Sequence, residues 1–441
     1  MGMTHDRGGH GGEPVSSSVS GIADSDTRRA PESESMLETM LDNGIPVLSE
    51  HIPSVRSVAV GVWIRCGSAH ELPEDHGASH LLEHMVFKGT EKRDALAIAN
   101  ALENLGGSLD AYTSREHTSY QARVLDEHLP EALDVLSDLV LSPQIREADL
   151  ELEREVVLEE IAQVEDTPDD LVFELHSARL WQGHPYGRSI LGTKGSVEGM
   201  PSKRLRALHE SRYVGANLVV AAAGNVRHEE FVDRVEELFG RLGSGERSAP
   251  IPPPGRPAVG VEAVDRTSAQ THIVFGTDGP EHSSADRRPA VLLSAALGGG
   301  MSSRLFQKVR EEMGLCYSVF TFQSFYSCAG VTGVYVGTRP ATAEKAADAV
   351  RAELRRVAER GLSESDLVRI KRQVKGQIML SLESTGSRLY RLAAFALHEE
   401  PFVGLDGLLR KIDAVTEDDI QRVAGRYFNP DQCLELRLGS A

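Results

Sequence analysis

The sequence predicts an α+β fold of two homologous domains, each a mainly antiparallel sheet with helices packed on one face. Three observations carry this. Runs of strands followed by runs of helices, rather than strict alternation, argue against a doubly wound parallel sheet. The stretch GSGERSAPIPPPGRP, residues 243–257, sets three consecutive prolines between Gly and Ser and reads as an extended linker. Finally, SDLVRIKRQVKGQIML, starting at Ser365, parallels ADLELEREVVLEEIAQ, starting at Ala148, at an ungapped offset of 217 residues, the pattern of a large-period duplication. The expected layout is a disordered tail over 1–33, an N-terminal domain over 34–243, a linker over 244–257 and a C-terminal domain over 258–441.

The elements follow in order. The tail is Gly/Ser-rich and polar, with too little apolar surface to offset the entropy of ordering, and its His5 and His10 read as solvated. LETMLDNGIPVLSEH gives two short strands about the turn Asp42-Asn43-Gly44. SVAVGVWIRCG (57–67) is a buried strand. HGASHLLEHMVFKG is a helix, and a second runs from Leu96 to Leu105. Residues 106–124 alternate as a strand pair, and helices follow over about 130–140 and 147–165. In the second half, AQTHIVFGTDG (269–279) resembles the buried strand SVAVGVWIRCG.

Composition excludes several classes. The 441-residue chain is 40% hydrophobic and 26% charged, an ordinary globular mix, and its net charge is −19. That field repels a phosphate backbone and no long basic block offsets it, so nucleic acid is not an expected partner. No apolar run reaches the roughly 18 residues of a membrane span, and the N-terminus has no secretory apolar core. Cys66, Cys316, Cys328 and Cys433 form no C-x-x-C pair. Free thiols of this kind suit the reducing cytoplasm, and Cys316 reads as structural.

The chemistry gathers in His80-Leu-Leu-Glu83-His84. Positions i and i+4 share a helix face, so both imidazoles can converge on one cation. Glu83 projects near the same site, and a carboxylate there can take a proton from a zinc-bound water. This is the H-x-x-E-H order, the reverse of H-E-x-x-H. A catalytic zinc usually takes a third protein ligand, and the acidic helix ELEREVVLEEIAQVED (151–166) is the place to look. At about 100° per residue, Leu150, Val157, Ile161 and Val164 share one arc, with Glu153 and Glu160 at its edge or within it. Glu151, Glu155 and Glu159 fall on the opposite, wet side. A buried carboxylate must be paired or metal-bound, which singles out Glu160 and Glu153.

HLLEHMVFKGT, followed 76 residues after His84 by Glu160 within EREVVLEEI, resembles the pitrilysin family of inverzincin metallopeptidases. The likeness is greatest to the two-domain bacterial members and the catalytic subunit of mitochondrial processing peptidase, and it runs from Leu37 to about Leu438. The resemblance implies that His80, His84 and Glu160 are zinc ligands, Glu83 the general base, and Glu153 a supporting glutamate. GGSLDAYTSREHTSY (106–120) is similar to the family's G-G-x-x-N-A-x-T strand, with Asp110 in place of Asn. Leu109, Asp110, Ala111, Tyr112 and Thr113 are then the edge on which an extended peptide adds as a strand. Arg310 and Tyr317, within VREEMGLCYSV, match an Arg/Tyr pair facing the zinc from the other half of a chamber. Gly298-Gly299-Gly300 lies where a related non-catalytic subunit has a longer glycine-rich loop; a tight turn is the equal alternative.

At the 217-residue offset Glu160 meets Gln377 and Glu153 meets Ile370, and no H-x-x-E-H follows the linker. One Zn2+ per chain is therefore expected. The implied activity is a zinc endopeptidase acting on extended peptides or unfolded segments, with Tyr317 as a hydrogen-bond donor to the oxyanion. The alternatives are a non-catalytic partner or core subunit of a larger assembly, and a zinc hydrolase of small molecules. The set His80, Glu83, His84 and Glu160 weighs against the first, and the strand-adding edge against the second. Family members of this type close a chamber from four domains, which implies a homodimer, or pairing with a related non-catalytic subunit.

Overall fold

The computed structural model describes residues 36–440, so the tail expected over 1–33, with His5 and His10, lies outside the described residues. The first half builds a six-stranded sheet from β1 (Met36–Met40), β2 (Pro46–His51), β3 (Ser57–Ile64), β4 (Ser108–Thr113), β5 (Thr118–Leu125) and β6 (Leu218–Gly224). The spatial order is β1-β2-β6-β3-β5-β4, antiparallel throughout except for β2 beside β6. The second half builds a five-stranded sheet from β7 (Gly260–Asp265), β8 (Thr271–Gly279), β9 (Cys316–Phe325), β10 (Gly330–Thr338) and β11 (Leu434–Gly439). Its order is β7-β11-β8-β10-β9, and only β7 and β11 run parallel. Strand for strand, β2, β6, β3, β5 and β4 correspond to β7, β11, β8, β10 and β9. Both sheets therefore have one topology, with β1 added to the first.

The helices of the first half are α1 (Ala78–Val86), α2 (Ala95–Glu103), α3 (Leu129–Leu141), α4 (Glu147–Asp166), α5 (Pro168–Leu180), α6 (Lys194–Glu198), α7 (Ser202–Arg212) and α8 (His228–Phe239). Those of the second are α9 (Arg287–Gly298), α10 (Ala343–Arg360), α11 (Glu364–Ser381), α12 (Thr385–Leu397), α13 (Leu405–Asp413) and α14 (Glu417–Tyr427). The repeat noticed at offset 217 is the pair α4 and α11. Each half has its own core: Val60, Val62, Leu81, Leu136 and Phe239 lie in the first, and Phe275, Leu293, Val336 and Ile370 in the second.

The expectation of helices on one face leaves out α5 and α12, each of which covers the second face of the other half's sheet. Strand β3 is apolar on both faces: Val58, Val60 and Val62 enter the first core, while Ala59 and Trp63 point the other way. There they meet Leu389, Leu392 and Ala393 of α12, a helix from the second half. Arg65 at the end of β3 donates to the carbonyls of Ala396 and Leu397 at 2.7 and 2.6 Å. It thereby satisfies acceptors that a helix C-terminus leaves open. Reciprocally, Val172 of α5 packs on Val274, Tyr335, Leu436 and Leu438 of the second sheet. Gly276 allows that approach, because a Cβ there would stand 2.4 Å from the His176 ring.

Candidate metal and active site

Helix α1 is fixed from its first turn. Gly77 adopts φ 91° at the N-cap, where a Cβ would strike the Leu191 carbonyl at 2.7 Å. The Glu71 carboxylate accepts from the N–H groups of Gly77 (2.8 Å) and Ser79 (2.6 Å), two donors that the helix leaves open. Burial pushes the Glu71 carboxyl up to about 7, against the pull of those bonds. Leu81, Leu82, Met85 and Val86 face the core. That leaves His80, Glu83 and His84 on the opposite face, as the i, i+3, i+4 spacing requires.

Helix α4 crosses this face. Leu150, Glu153, Val157 and Ile161 are its buried residues, while Glu151, Glu155 and Glu159 are exposed. One ligand atom each from His80, His84 and Glu160 lie within 4.8 Å of one another. The Nε2 atoms of both histidines stand 3.7 Å from the Glu160 oxygens, one on each. That is too long for a hydrogen bond, whereas ligands about 2.1 Å from a tetrahedral zinc stand about 3.4 Å apart. The Glu160 Oε2 atom is enclosed without a hydrogen-bond partner among the described residues, as a carboxylate awaiting a cation would be. Burial, with His84 alongside, pushes the His80 imidazole down to about 4, so it is neutral with a lone pair to give. Two imidazoles and a carboxylate are a zinc-type donor set.

The surroundings orient these groups. Glu153 accepts from His84 Nδ1 at 3.1 Å through one oxygen and pairs with Lys88 Nζ at 2.5 Å through the other. A carboxylate on the far nitrogen fixes the tautomer and the orientation of the ring. Glu83 accepts a 2.6 Å hydrogen bond from the Thr113 hydroxyl. Burial raises the Glu83 carboxyl above its usual range, with the Thr113 bond opposing, a direction that suits a group that must take a proton. Thr113 ends β4, which among the described residues pairs only with β5 and leaves its other edge open. Leu109 and Ala111 lean toward the first core, Asp110 is exposed, and Tyr112 turns to the other face, 2.9 Å from His117.

Arg310 and Tyr317 are not brought to this cluster. Arg310 lies in a π-helical stretch, Phe306–Glu312, its guanidinium 4.6 Å from the Phe306 ring centroid and 5.2 Å from that of Tyr317. Tyr317, at the start of β9, is 77% exposed. Gly298 to Gly300 end α9, and a Cβ on Gly298 would stand 2.4 Å from the Thr321 amide nitrogen, so close packing against β9 accounts for that glycine. All four cysteines are free. Sequence reasoning missed Glu71 and Lys88. Nothing in a linear pattern separates their roles from ordinary surface charge, although Lys88 lies inside the recognised motif.

Comparison with known proteins agrees with this geometry. Residues 46–194 match the family described as Insulinase (Peptidase family M16), and residues 200–374 match the Peptidase M16 inactive domain. An uncharacterized zinc protease of Streptomyces coelicolor is 40% identical over 395 residues, 88% of this chain and 86% of its own. Another from Bacillus subtilis, YmxG, is 37% identical over 396 residues, covering 89% and 96%. The crystal structure of a protease from Helicobacter pylori superposes with a TM-score of 0.84 at 22% identity, over 92% of this chain and 100% of that one, a likeness of fold. Fold and site define a class: a duplicated two-sheet chain with one H-x-x-E-H pentapeptide in its first half, beside a carboxylate that could complete a metal site. The chain belongs to peptidase family M16, the insulinase or pitrilysin family, and its cofactor is zinc.

Proposed function

We propose that this chain is a zinc endopeptidase acting on extended peptides or unfolded segments, and that His80, His84 and Glu160 hold its one zinc ion. The observation that carries the reading is the convergence of His80 Nε2, His84 Nε2 and the Glu160 carboxylate around a gap that no hydrogen bond closes. When bound there, zinc supplies Lewis acidity, bringing a water's pKa toward about 7 and polarising the scissile carbonyl.

The chain's own residues do the rest. The open edge of β4, Leu109 to Thr113, pairs with the backbone of an extended substrate and presents its scissile bond to α1. Asp110, where relatives of this type carry Asn, changes one side-chain contact and leaves the backbone pairing intact. Glu83 takes the proton of the attacking water and passes it to the leaving amine, and Thr113 holds its carboxylate in place. Glu153 keeps the His84 ring oriented. Arg310 and Tyr317 act on substrate held by a second copy of the chain in a homodimer, with the Tyr317 hydroxyl donating to the developing oxyanion. The exposure of Tyr317, and the lack of contact of either residue with its own chain's cluster among the described residues, favour that arrangement. The four free thiols favour a reducing compartment, the cytoplasm, as its location.

The test is Glu83→Gln. It removes only the proton acceptor, so zinc content stays at one per chain while cleavage of quenched peptides falls by at least about a hundredfold. Near-normal turnover in a clean preparation would sink the mechanism.

A further inference from the structure

A second cavity, of about 560 Å³, opens in the second half between the start of α9, α12, α13 and the 399–403 segment. Its size falls in the range of small-molecule sites. One wall is apolar, formed by Ala394, Phe395, Val403 and Leu408. The other carries Arg287, Arg288, Arg391 and Lys411 against only Glu399 and Glu400, a positive lining in a chain of net charge −19.

The two acids are already engaged. Glu400 accepts from His282 Nδ1 at 2.9 Å and lies 3.5 Å from Arg287, while Glu399 pairs with Arg247. Arg391 is spoken for by the Val403 carbonyl at 2.5 Å and by the Phe395 and Phe402 rings. Arg288 and Lys411 differ: among the described residues neither has a carboxylate partner, and the Arg288 Nε atom is enclosed with no hydrogen-bond acceptor. A buried donor without an acceptor is unfavourable. Arg287 and Arg288 also occupy the first two positions of α9, a first turn with no acidic residue, where the macrodipole disfavours cations. Burial lowers the Arg287 guanidinium from its usual range, Glu400 opposes that, and Arg288 alongside adds repulsion. Three unfavourable placements at the mouth of one cavity are not explained by packing, which an uncharged chain of equal length would serve better.

We propose that this cavity binds the free C-terminus of a peptide, with the carboxylate on Arg288 and Lys411 and an apolar terminal side chain against Phe395, Val403 and Leu408. The chemistry selects this occupant: a single carboxylate answers two unpaired cations, and the apolar wall excludes a bare inorganic anion as the best fit. The assignment stands apart from the metal site, although an endopeptidase generates such carboxylates at every turnover.

The test is calorimetric titration of the full-length zinc-loaded protein with N-acetyl-leucyl-phenylalanine, its carboxamide, octanoate and inorganic phosphate. The acid is expected to bind, with the carboxamide at least tenfold weaker. Arg288→Gln and Lys411→Gln should each weaken the acid about tenfold, while Arg288→Gln leaves both the melting temperature and the cleavage of quenched peptides undiminished. Equal binding of acid and carboxamide, or full affinity in Arg288→Gln, would overturn the proposal. So would an absence of binding. Tighter binding of octanoate or phosphate would overturn the peptide assignment in favour of a lipid-like or simple anion.

Discussion

The contact between Glu153 and His84 invites a substitution that changes charge without changing shape. Glu153 offers two carboxylate oxygens to two donors, His84 Nδ1 at 3.1 Å and Lys88 Nζ at 2.5 Å. In Glu153→Gln only one acceptor remains, and the amide NH2 must face the other donor. The Lys88 side chain is 36% exposed and can turn to water, whereas the His84 ring is confined between His80 and α4. The Gln oxygen therefore goes to His84, which keeps its tautomer and loses its charged partner. Partners of this kind are worth about 10–100-fold in metal affinity, or about 1.4–2.7 kcal/mol. The lost ion pair with half-open Lys88 adds at most about 1 kcal/mol to the metal-free stability change. Chelator competition for zinc, with melting curves of the metal-free forms, separates the two terms. Lys88→Met leaves the Glu153–His84 contact in place and should lose less than tenfold in zinc affinity. If Glu153→Gln bound zinc within twofold of the parent while Lys88→Met lost tenfold, the orienting role would belong elsewhere.

Three further outcomes follow from the same geometry. Glu160→Gln should lose zinc on dialysis and Glu159→Gln, on the exposed face of α4, should retain it; atomic absorption showing the reverse would undo the ligand assignment. Burial pushes the imidazoles of His70, His117 and His176 down to about 4 and that of His398 to about 3, from an ordinary 6.5. Below pH 6.5 the unfolded chain takes up protons that the folded one refuses. Stability is therefore full above about pH 6.5 and falls toward pH 4, by up to about 1.4 kcal/mol per unit and histidine; a melting temperature unchanged down to pH 5 would contradict this. Mixing inactive Glu83→Gln with inactive Tyr317→Phe subunits should restore activity through one intact composite site per mixed dimer. If confirmed subunit exchange restores nothing, or the active enzyme sediments as a monomer, the trans arrangement fails.

Much of the architecture was legible because local and global signals coincide. The apolar run of β3, the turn at Asp42-Asn43-Gly44 and the arc shared by Leu150, Val157 and Ile161 each belong to a single element. Periodicity alone separates Glu153, buried in the structure, from exposed Glu151, Glu155 and Glu159. What stayed hidden depends on contacts between distant segments. Glu71 caps α1 only because the chain folds back to present it, and the hydrogen bond from Thr113 to Glu83 joins a strand end to a helix face. The helix on the far face of each sheet was equally invisible. The apolar stripe of α12 states that it is buried but not against which sheet.

That exchange gives a physical reason for keeping a second half without the metal residues. In each copy the helix following the duplicated one crosses to the other sheet: α5 follows α4, and α12 follows α11. A swapped dimer whose two chains have become one would have this arrangement. An antiparallel sheet can leave one face to water, but the first sheet cannot without exposing Trp63, Ala59 and Leu48. The first half therefore relies on α12 for its outer face, and Arg65, just after β3, ties the end of that helix down. Gln377 and Ile370 can stand where Glu160 and Glu153 stand in the first copy, because helix packing and not metal binding is what the first half requires of the second.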